Sequence, residues 1–154
     1  MPIGISRELV NLYFQACLAR DAARLAQLLH EDVQWCVTGP IDLLPFCGRR
    51  CGKSAVIDNI VRLAPSALRM TGLDLEEMLI DGEYAATLSR LTAIHAGTGR
   101  TVSYRCAQFL RFRDGKLIEF HALIDSFDAA EQVLGHPIEV APPAAARAKN
   151  VFAI

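Results

Sequence analysis

The spacing of apolar residues changes once along this chain, and that change constrains the fold more than any other feature. Within the first 64 residues three segments carry apolar side chains at helical spacing, and Val56, Ile60 and Ala64 show the stripe most clearly. From there to residue 125 the period is two, which predicts four strands. These strands are 67–80, 83–96, 100–112 and 116–125. Helices followed by a meander of strands indicate an α+β domain with the helices packed on one face of a mostly antiparallel sheet.

The ends of the helices are also marked in the sequence. Ser6 and Asp21 are side chains that cap helices, and each precedes an apolar stripe. The segment 32–37, "DVQWCV", predicts a first strand. A third helix over 53–64 is expected to end at Pro65, because proline cannot continue the hydrogen-bond ladder.

Turns and caps define the second half of the chain. Two Asp-Gly pairs predict two-residue hairpin turns, at 81–82 and 114–115. Asp128 and Glu131 have the spacing of a capping box for a short helix that ends at Leu134. We therefore expect a single domain over 1–135, followed by a Pro/Ala-rich tail over 136–154.

Composition restricts the function. A net charge of −1 over 154 residues gives no electrostatic reason to expect nucleic acid or an anionic membrane as partner. No apolar run reaches the roughly 20 residues that span a bilayer, and no secretory signal is visible. Five cysteines without CxxC pairs favour free thiols in the cytoplasm. The sequence contains no spaced ligand cluster and no complete nucleotide-binding motif ("GRRCGKS" lacks one residue of the phosphate loop), so we expect no metal, nucleotide or flavin cofactor.

The last hairpin carries the candidate site. A regular turn at 114–115 would place Gln108 opposite His121, and it would also pair two further couples on the same face, Cys106 with Leu123 and Tyr104 with Asp125. This polar and apolar mixture predicts that the face lines a cavity. His121 has the alternative of a buried histidine satisfied by Gln108, and Asp125 that of a residue in the turn at the strand end.

The opposite face of the same hairpin is expected to be apolar, with Phe109, Ile118, Phe120 and Ile124 on it and arginines at its rim. A hairpin that is apolar on both faces needs a cover on both. The helices can cover only one of them. The sequence therefore predicts a homodimer formed through the outer face of the sheet, with Arg105 and Arg111 facing acidic groups or water.

Three segments resemble the nuclear transport factor 2-like superfamily, and within it the SnoaL-like and ketosteroid-isomerase-like proteins. They are "YFQACLARDAARLAQLLHEDVQW", "LPFCGRRCGKSAV" and "FRDGKLIEFHALID". The resemblance implies a cone-shaped (cystatin-like) α+β fold, in which three N-terminal helices pack on a curved sheet and enclose a pocket. It also implies cofactor-free acid–base chemistry, of the isomerase, cyclase or dehydratase type, on a small apolar molecule that contains a carbonyl group.

The resemblance assigns roles residue by residue. It makes Asp125 the general acid or base, and it leaves His121, Tyr104 and Tyr13 as candidates to hold or polarise the substrate oxygen. For Arg90 a solvated strand residue is favoured over an anion clamp, and for Trp35 core packing stays open beside a pocket wall. The candidates to contact the substrate are these two residues and three side chains of the last hairpin. They are Trp35, Arg90, Gln108, Leu123 and Cys106.

Other functions remain open at this point. The same cavity could serve a non-catalytic binding module, or the domain could only dimerise. Epoxide hydrolysis is disfavoured, because Trp35 and Val37 stand where such enzymes hold water, and Thr92 stands where they have a carboxylate. Steroid isomerisation loses its general base at Val37 and its acidic oxyanion donor near Gln108.

Overall fold

The computed structural model describes residues 4–142, and the rest of the expected tail, 143–154, lies outside the described residues. Two helices open the chain, and a third helical segment follows two strands. They are α1 (Arg7–Ala19), α2 (Ala22–Leu28), β1 (Leu29–Thr38), β2 (Gly48–Cys51), α3 (Lys53–Asp58), a π-helical turn (Asn59–Leu63) and α4 (Ala64–Ala67). The remaining elements are β3 (Leu68–Asp81), β4 (Tyr84–His95), β5 (Thr101–Arg113), β6 (Lys116–Ile124) and α5 (Ser126–Leu134).

The six strands form one sheet in the order β2-β1-β6-β5-β4-β3. Only β1 and β6 run parallel, and all other neighbours are antiparallel. Helix α1 packs near β3, and α5 packs near β5. In the described part of the chain no helix is long and apolar enough to cross a membrane.

The predicted caps of the first two helices are present. The Ser6 side chain accepts a hydrogen bond from the Leu9 amide at 3.1 Å, and Asp21 accepts one from the Arg24 amide at 3.0 Å. Each cap satisfies one of the free amides of a first helical turn. Helix α1 buries Tyr13 and other apolar side chains against the sheet, and each is worth about 1.5–3 kcal/mol relative to exposure.

Some predicted boundaries were wrong. The first strand already begins at Leu29, and 48–51, expected as part of a turn-rich segment, forms a strand. The first hairpin turn consists of Gly82 and Glu83 rather than 81–82, because Asp81 still pairs with Tyr84. The helical segment also runs past Pro65, which lies in α4 directly after the π-helical turn.

The register of the last hairpin differs from the prediction by one residue. Arg113 pairs with Lys116 as expected, but Ile118 has no partner on β5 and forms a β-bulge. Beyond the bulge the pairs are Gln108 with Ala122 and Phe109 with His121. A single extra residue exchanges the faces of everything that follows it. The expected pairs of His121, Leu123 and Asp125 with β5 are therefore wrong.

Alternation then defines two faces of the sheet. On β5 the even-numbered residues from Val102 to Phe112 are buried, and the odd-numbered residues are exposed or half-buried. We call the first side, which the helices cover, the inner face, and the other side the outer face. The apolar set of β6 lies on the inner side, where Phe120 and Ala122 are buried and Ile124 is half-buried.

Candidate functional site

A cavity of about 110 Å³ lies between the inner face and the helices. Helix α1, the π-helical turn and α4 contribute to one wall, and strands of the sheet form the other. The residues that line it on the sheet side include Trp35, Val37, Leu91, Tyr104, Cys106, Gln108, Phe120, Ala122 and Ile124. The space is enough for several water-sized groups or for a small ligand. The mostly apolar lining with a few polar groups is typical of small-molecule sites.

Gln108 is the polar centre of the sheet wall. Its side chain is 3% exposed, and its Oε1 accepts hydrogen bonds from the Thr87 hydroxyl at 2.7 Å and the Ser89 hydroxyl at 3.0 Å. Both hydroxyls come from β4, whose residue Thr87 pairs directly with Gln108. Because these bonds fix the amide, its Nε2 remains without an acceptor within residues 4–142 and can donate to a ligand. Thr87 and Ser89 were not predicted as site residues, although the alternation in "ATLSR" puts both on one face.

Three aromatic rings form another part of the wall. Trp35 stacks on Phe120 with ring centroids 5.4 Å apart, and Tyr13 packs against Phe120 at 5.6 Å. The Trp35 indole N–H donates to the Tyr13 hydroxyl at 3.3 Å. Burial raises the pKa of Tyr13 well above its usual value, so the phenol stays protonated and neutral. The sequence predicted both Tyr13 and Trp35 as site residues, and the structure brings them together.

Tyr104 lies on the same strand as Gln108, four residues away. It is 4% exposed, and its hydroxyl makes no hydrogen bond to any described residue. Burial raises the pKa of Tyr104, so its O–H remains a donor at neutral pH. The predicted bond to Asp125 is absent from the described contacts, because the bulge moves Asp125 out of line with Tyr104.

Two thiols also line the cavity. Burial raises the pKa of both Cys17 and Cys106 to about 12, so both are neutral thiols at physiological pH. A thiol is a weak nucleophile until it is ionised. Cys106 was predicted to contact the substrate, and it does line the cavity. As a neutral thiol it is not an activated nucleophile.

Asn59 begins the π-helical turn and is 1% exposed. Its amide nitrogen donates weakly to the Phe46 carbonyl at 3.4 Å, and its Oδ1 has no donor among residues 4–142. A buried carbonyl oxygen without a donor is uncommon in folded proteins. Short π-helical turns frequently occur at functional sites. Nothing in the sequence pattern singled out this residue.

The structure places four predicted site residues away from this cavity. His121, Leu123 and Arg90 are exposed on the outer face; His121 bonds the Thr38 hydroxyl at 2.9 Å, and Arg90 lies 3.9 Å from Glu76. These placements correct the prediction, and the physical reason for the two β6 residues is the bulge at Ile118.

Asp125 is the fourth of these residues. It is exposed, and it is the N-cap of α5, where its carboxylate accepts from the Asp128 amide at 3.3 Å. The predicted capping box at Asp128 is therefore wrong, and the placement on which an acid–base role for Asp125 depended is lost.

The cavity accordingly has an unusual chemical character. Of the lining residues in the described chain, none is an aspartate, a glutamate or a histidine, and the only charged one is Arg20. The polar groups that remain are phenols, amides and thiols. The arrangement can donate hydrogen bonds to an oxygen atom, but among residues 4–142 it holds no side chain that serves as a general base near neutral pH.

Comparisons with known proteins agree with the fold. A family model for the SnoaL-like domain matches residues 10–120. A candidate isomerase from Rhodopseudomonas palustris is 30% identical, with a TM-score of 0.78 over 86% of this chain and 100% of that one. No curated protein sequence matches the chain.

More distant structures share the fold alone. An epoxide hydrolase from M. tuberculosis, similar to limonene epoxide hydrolase, is 15% identical with a TM-score of 0.68 over 83% of this chain and 88% of that one. A protein from Catenulispora acidiphila with a ketosteroid-isomerase-like fold, solved with trimethylamine, is 13% identical with a TM-score of 0.70 over 90% of this chain and 100% of that one. With its helices, curved open sheet and family match, this chain belongs to the SnoaL-like domain family of the nuclear transport factor 2-like superfamily.

Proposed function

We propose that this protein binds a small, largely apolar molecule that carries a carbonyl or hydroxyl oxygen. The observation that carries the proposal is the cavity itself, whose buried polar groups are uncharged and lie on apolar walls. A charged group deep in such a site would lose its hydration without a partner, so an uncharged oxygen function fits the deep end better. The five free thiols fit the cytoplasm as the proposed compartment.

Gln108 and Tyr104 are the proposed recognition groups. Each presents a donor that is unpaired within the described chain, and each lies on a rigid central strand. A ligand oxygen that accepts from either donor satisfies a buried polar group, and a ligand without such an oxygen leaves it unsatisfied at a cost of about 1–3 kcal/mol. This difference selects oxygen-bearing ligands over plain hydrocarbons.

The test uses Trp35, which is the single tryptophan of the chain and lines the cavity. Titration with nonan-2-one should change its fluorescence saturably. Gln108→Met should weaken that binding by about two- to tenfold, because one buried hydrogen bond is worth roughly 0.5–1.5 kcal/mol. Gln15→Met, on the exposed side of α1, is the matched control and should bind like the parent. An unchanged Trp35 signal at saturating ketone would refute the proposal.

An isomerase is the second candidate, favoured by the 30% identity to a candidate isomerase. Donors such as the Tyr104 hydroxyl can polarise a carbonyl and acidify the carbon beside it. The proton would then move through water or a group of the substrate, since the lining offers no carboxylate or imidazole within the described residues. Deuterium exchange beside the carbonyl of bound nonan-2-one separates the candidates. An enzyme accelerates this exchange and loses the acceleration in Tyr104→Phe, whereas a binding protein does not accelerate it.

We also propose that the protein forms a homodimer through its outer face. Large apolar side chains are exposed there, with exposures of 69% for Leu79, 53% for Tyr84, 51% for Phe109 and 44% for Leu123. Of the apolar residues first expected on this face only Phe109 lies on it, because Ile118 and Phe120 are buried and Ile124 lines the cavity.

Charges of both signs surround the exposed apolar residues. Arg111 lies 3.1 Å from Glu119, and Arg105 also pairs with a glutamate of this face. A face that carries both signs can meet a second copy of itself. Light scattering should show a dimer at micromolar concentration, and Phe109→Arg should shift it to the monomer. A parent protein that is monomeric in the same measurement would contradict the proposal.

A further inference from the structure

Arg20 lies at the end of α1 and contributes to the cavity wall. Its side chain is half-buried, and its Nη1 donates to the carbonyls of Leu18 and Met70, each at 3.2 Å. Met70, a lining residue whose carbonyl bonds Arg20, is also half-buried, whereas Gln108 and Trp35 are buried. Arg20 therefore stands towards the mouth of the cavity, and Gln108 lies deep inside it.

The guanidinium of Arg20 has donors to spare. Only Nη1 is used, so the N–H groups of Nε and Nη2 have no acceptor in the part of the chain that the structure describes. Arg20 also forms no ion pair with any described carboxylate. The carboxylate of Asp21, its neighbour in sequence, is directed to the Arg24 amide instead. The two bonds to carbonyls hold the group in place without neutralising its charge.

The backbone at this position makes the choice of arginine informative. Arg20 adopts a φ of 53°, in the left-handed region where a helix commonly ends on glycine. Glycine takes this conformation without the clash that a Cβ creates. An arginine that accepts the strain, and that lines a cavity of otherwise neutral groups, points to a role for the side chain beyond ending the helix.

We propose that Arg20 binds the carboxylate of the ligand, so that the protein takes small apolar acids with an uncharged oxygen at their far end. This inference rests on the proposed binding function of the cavity and names its ligand class. The planar guanidinium can hold a carboxylate with two parallel N–H donors, and its partial burial strengthens the interaction relative to open solvent. The apolar chain of the acid lies along the apolar wall, and its second oxygen meets the donors of Gln108 or Tyr104.

The experiment compares two ligands that differ only at the charged end. Octanoate and nonan-2-one have the same number of non-hydrogen atoms and the same alkyl chain, but only octanoate carries a charge. Both are titrated against Trp35 fluorescence at neutral pH, in the parent and in three variants. Arg20→Met removes the charge, Arg20→Gly removes the side chain while suiting the left-handed backbone, and Arg69→Met removes a nearby exposed arginine that does not line the cavity.

The ratio of the ketone Kd to the octanoate Kd reports the contribution of the charge. We expect Arg20→Met and Arg20→Gly each to lower this ratio by about tenfold, the value of one partly exposed charge-assisted hydrogen bond, and Arg69→Met to leave it unchanged. In the parent the ratio should also fall as salt is added, because salt screens the pair. A purely structural role for Arg20 would weaken both ligands equally and leave the ratio constant.

Three outcomes would overturn the proposal. Ketone binding with a ratio that does not depend on Arg20 would show that Arg20 only ties α1 to β3, and it would leave the binding function intact. An equal loss in Arg69→Met would show a general effect of surface charge. The absence of a Trp35 response to both ligands in the parent would refute the binding function as well.

Discussion

The two faces of one sheet carry opposite chemistry in this protein. On the inner face Gln108 and Ala122 are neighbours in an apolar cavity whose only charged lining residue among residues 4–142 is Arg20. On the outer face Phe109 and His121 are neighbours among exposed aromatic and charged side chains. These two pairs are adjacent along the same two strands. A single bulge at Ile118 therefore decides which side chains of β6 line the cavity and which lie on the outer face.

Single-residue deletions break this arrangement most strongly. Deleting His121, in the regular part of β6, should move the residues on one side of the deletion to the opposite face and abolish cooperative folding. Deleting Ile118 should remove only the bulge, because Leu117 and Glu119 would then alternate regularly opposite Phe112 and Arg111. That variant should lose about 2–5 kcal/mol for the buried side chain and still unfold cooperatively in urea. An equal loss of unfolding free energy and cooperativity in both deletion variants would argue against a bulge at Ile118.

The thiols sharpen the contrast between the faces. Cys17 and Cys106 line the cavity, and Cys51 is exposed on β2. Iodoacetamide should modify Cys51 more than about a hundredfold faster than the two cavity thiols, as measured by peptide mass spectrometry. Comparable rates at all three would show that the cavity wall opens readily.

Because these thiols are buried as neutral groups, we expect the protein to lose stability at alkaline pH. Burial raises the pKa of Cys17 from 9.0 to about 12, so between these values the folded chain holds a proton that the unfolded chain has lost. The contribution of the protonated Cys17 thiol to the free energy of unfolding is therefore fully present below pH 9.0, and it is lost as the pH rises towards about 12. Urea midpoints across this window should decline, and Cys17→Ala should make the decline shallower. A midpoint that stays constant up to pH 12 would contradict the burial of these groups.

Asp125 caps α5 outside the cavity lining, and substitutions there should have a smaller effect on stability. Asp125→Ala should cost about 1 kcal/mol of unfolding free energy, because the cap of α5 is lost. Asp125→Asn keeps a capping side chain and should cost less. Neither substitution should change the Kd of nonan-2-one, since the carboxylate lies outside the cavity lining. A tenfold loss of ketone binding in Asp125→Asn would show that Asp125 takes part in the binding site after all.

Asn59→Leu should have the smallest effect on stability. The substitution replaces an amide whose Oδ1 has no donor within residues 4–142, so the unfolding free energy should change by less than about 1 kcal/mol in either direction. Urea denaturation measures this change. A loss above about 3 kcal/mol would show that the amide is satisfied in solution.

Much of the fold could be predicted from local patterns. The order of helices and strands follows from apolar periodicity, and the cap at Ser6 and the turn at 114–115 follow from local backbone chemistry. The bulge could not be predicted with the same ease, because it depends on how β6 meets β1 and β5 at once. Its one signal was the adjacent apolar pair Leu117 and Ile118, both buried, which interrupts strict alternation.

The candidate site could be predicted only in part, because local alternation fixes the face of a residue only where no bulge intervenes. Tyr13, Trp35, Tyr104, Cys106 and Gln108 lie on elements whose faces the pattern fixes, and all five line the cavity. The remaining candidates lay beyond the bulge or on the outer side of β4, where a shift of one residue or a choice of face changes the environment completely. Arg20 and Asn59 occupy a helix end and a π-helical turn, and their positions in the cavity wall follow from tertiary contacts that no periodicity encodes.

The same substitution at two adjacent residues tests most directly whether the ligand binds on the inner face of the sheet. Ala122→Leu fills the inner-face cavity, and His121→Leu adds the same side chain to the outer face. Titration of Trp35 fluorescence with nonan-2-one should show binding abolished in Ala122→Leu and retained within about twofold in His121→Leu, since only the first takes space from the ligand. Binding that survives in Ala122→Leu and is lost in His121→Leu would contradict the account.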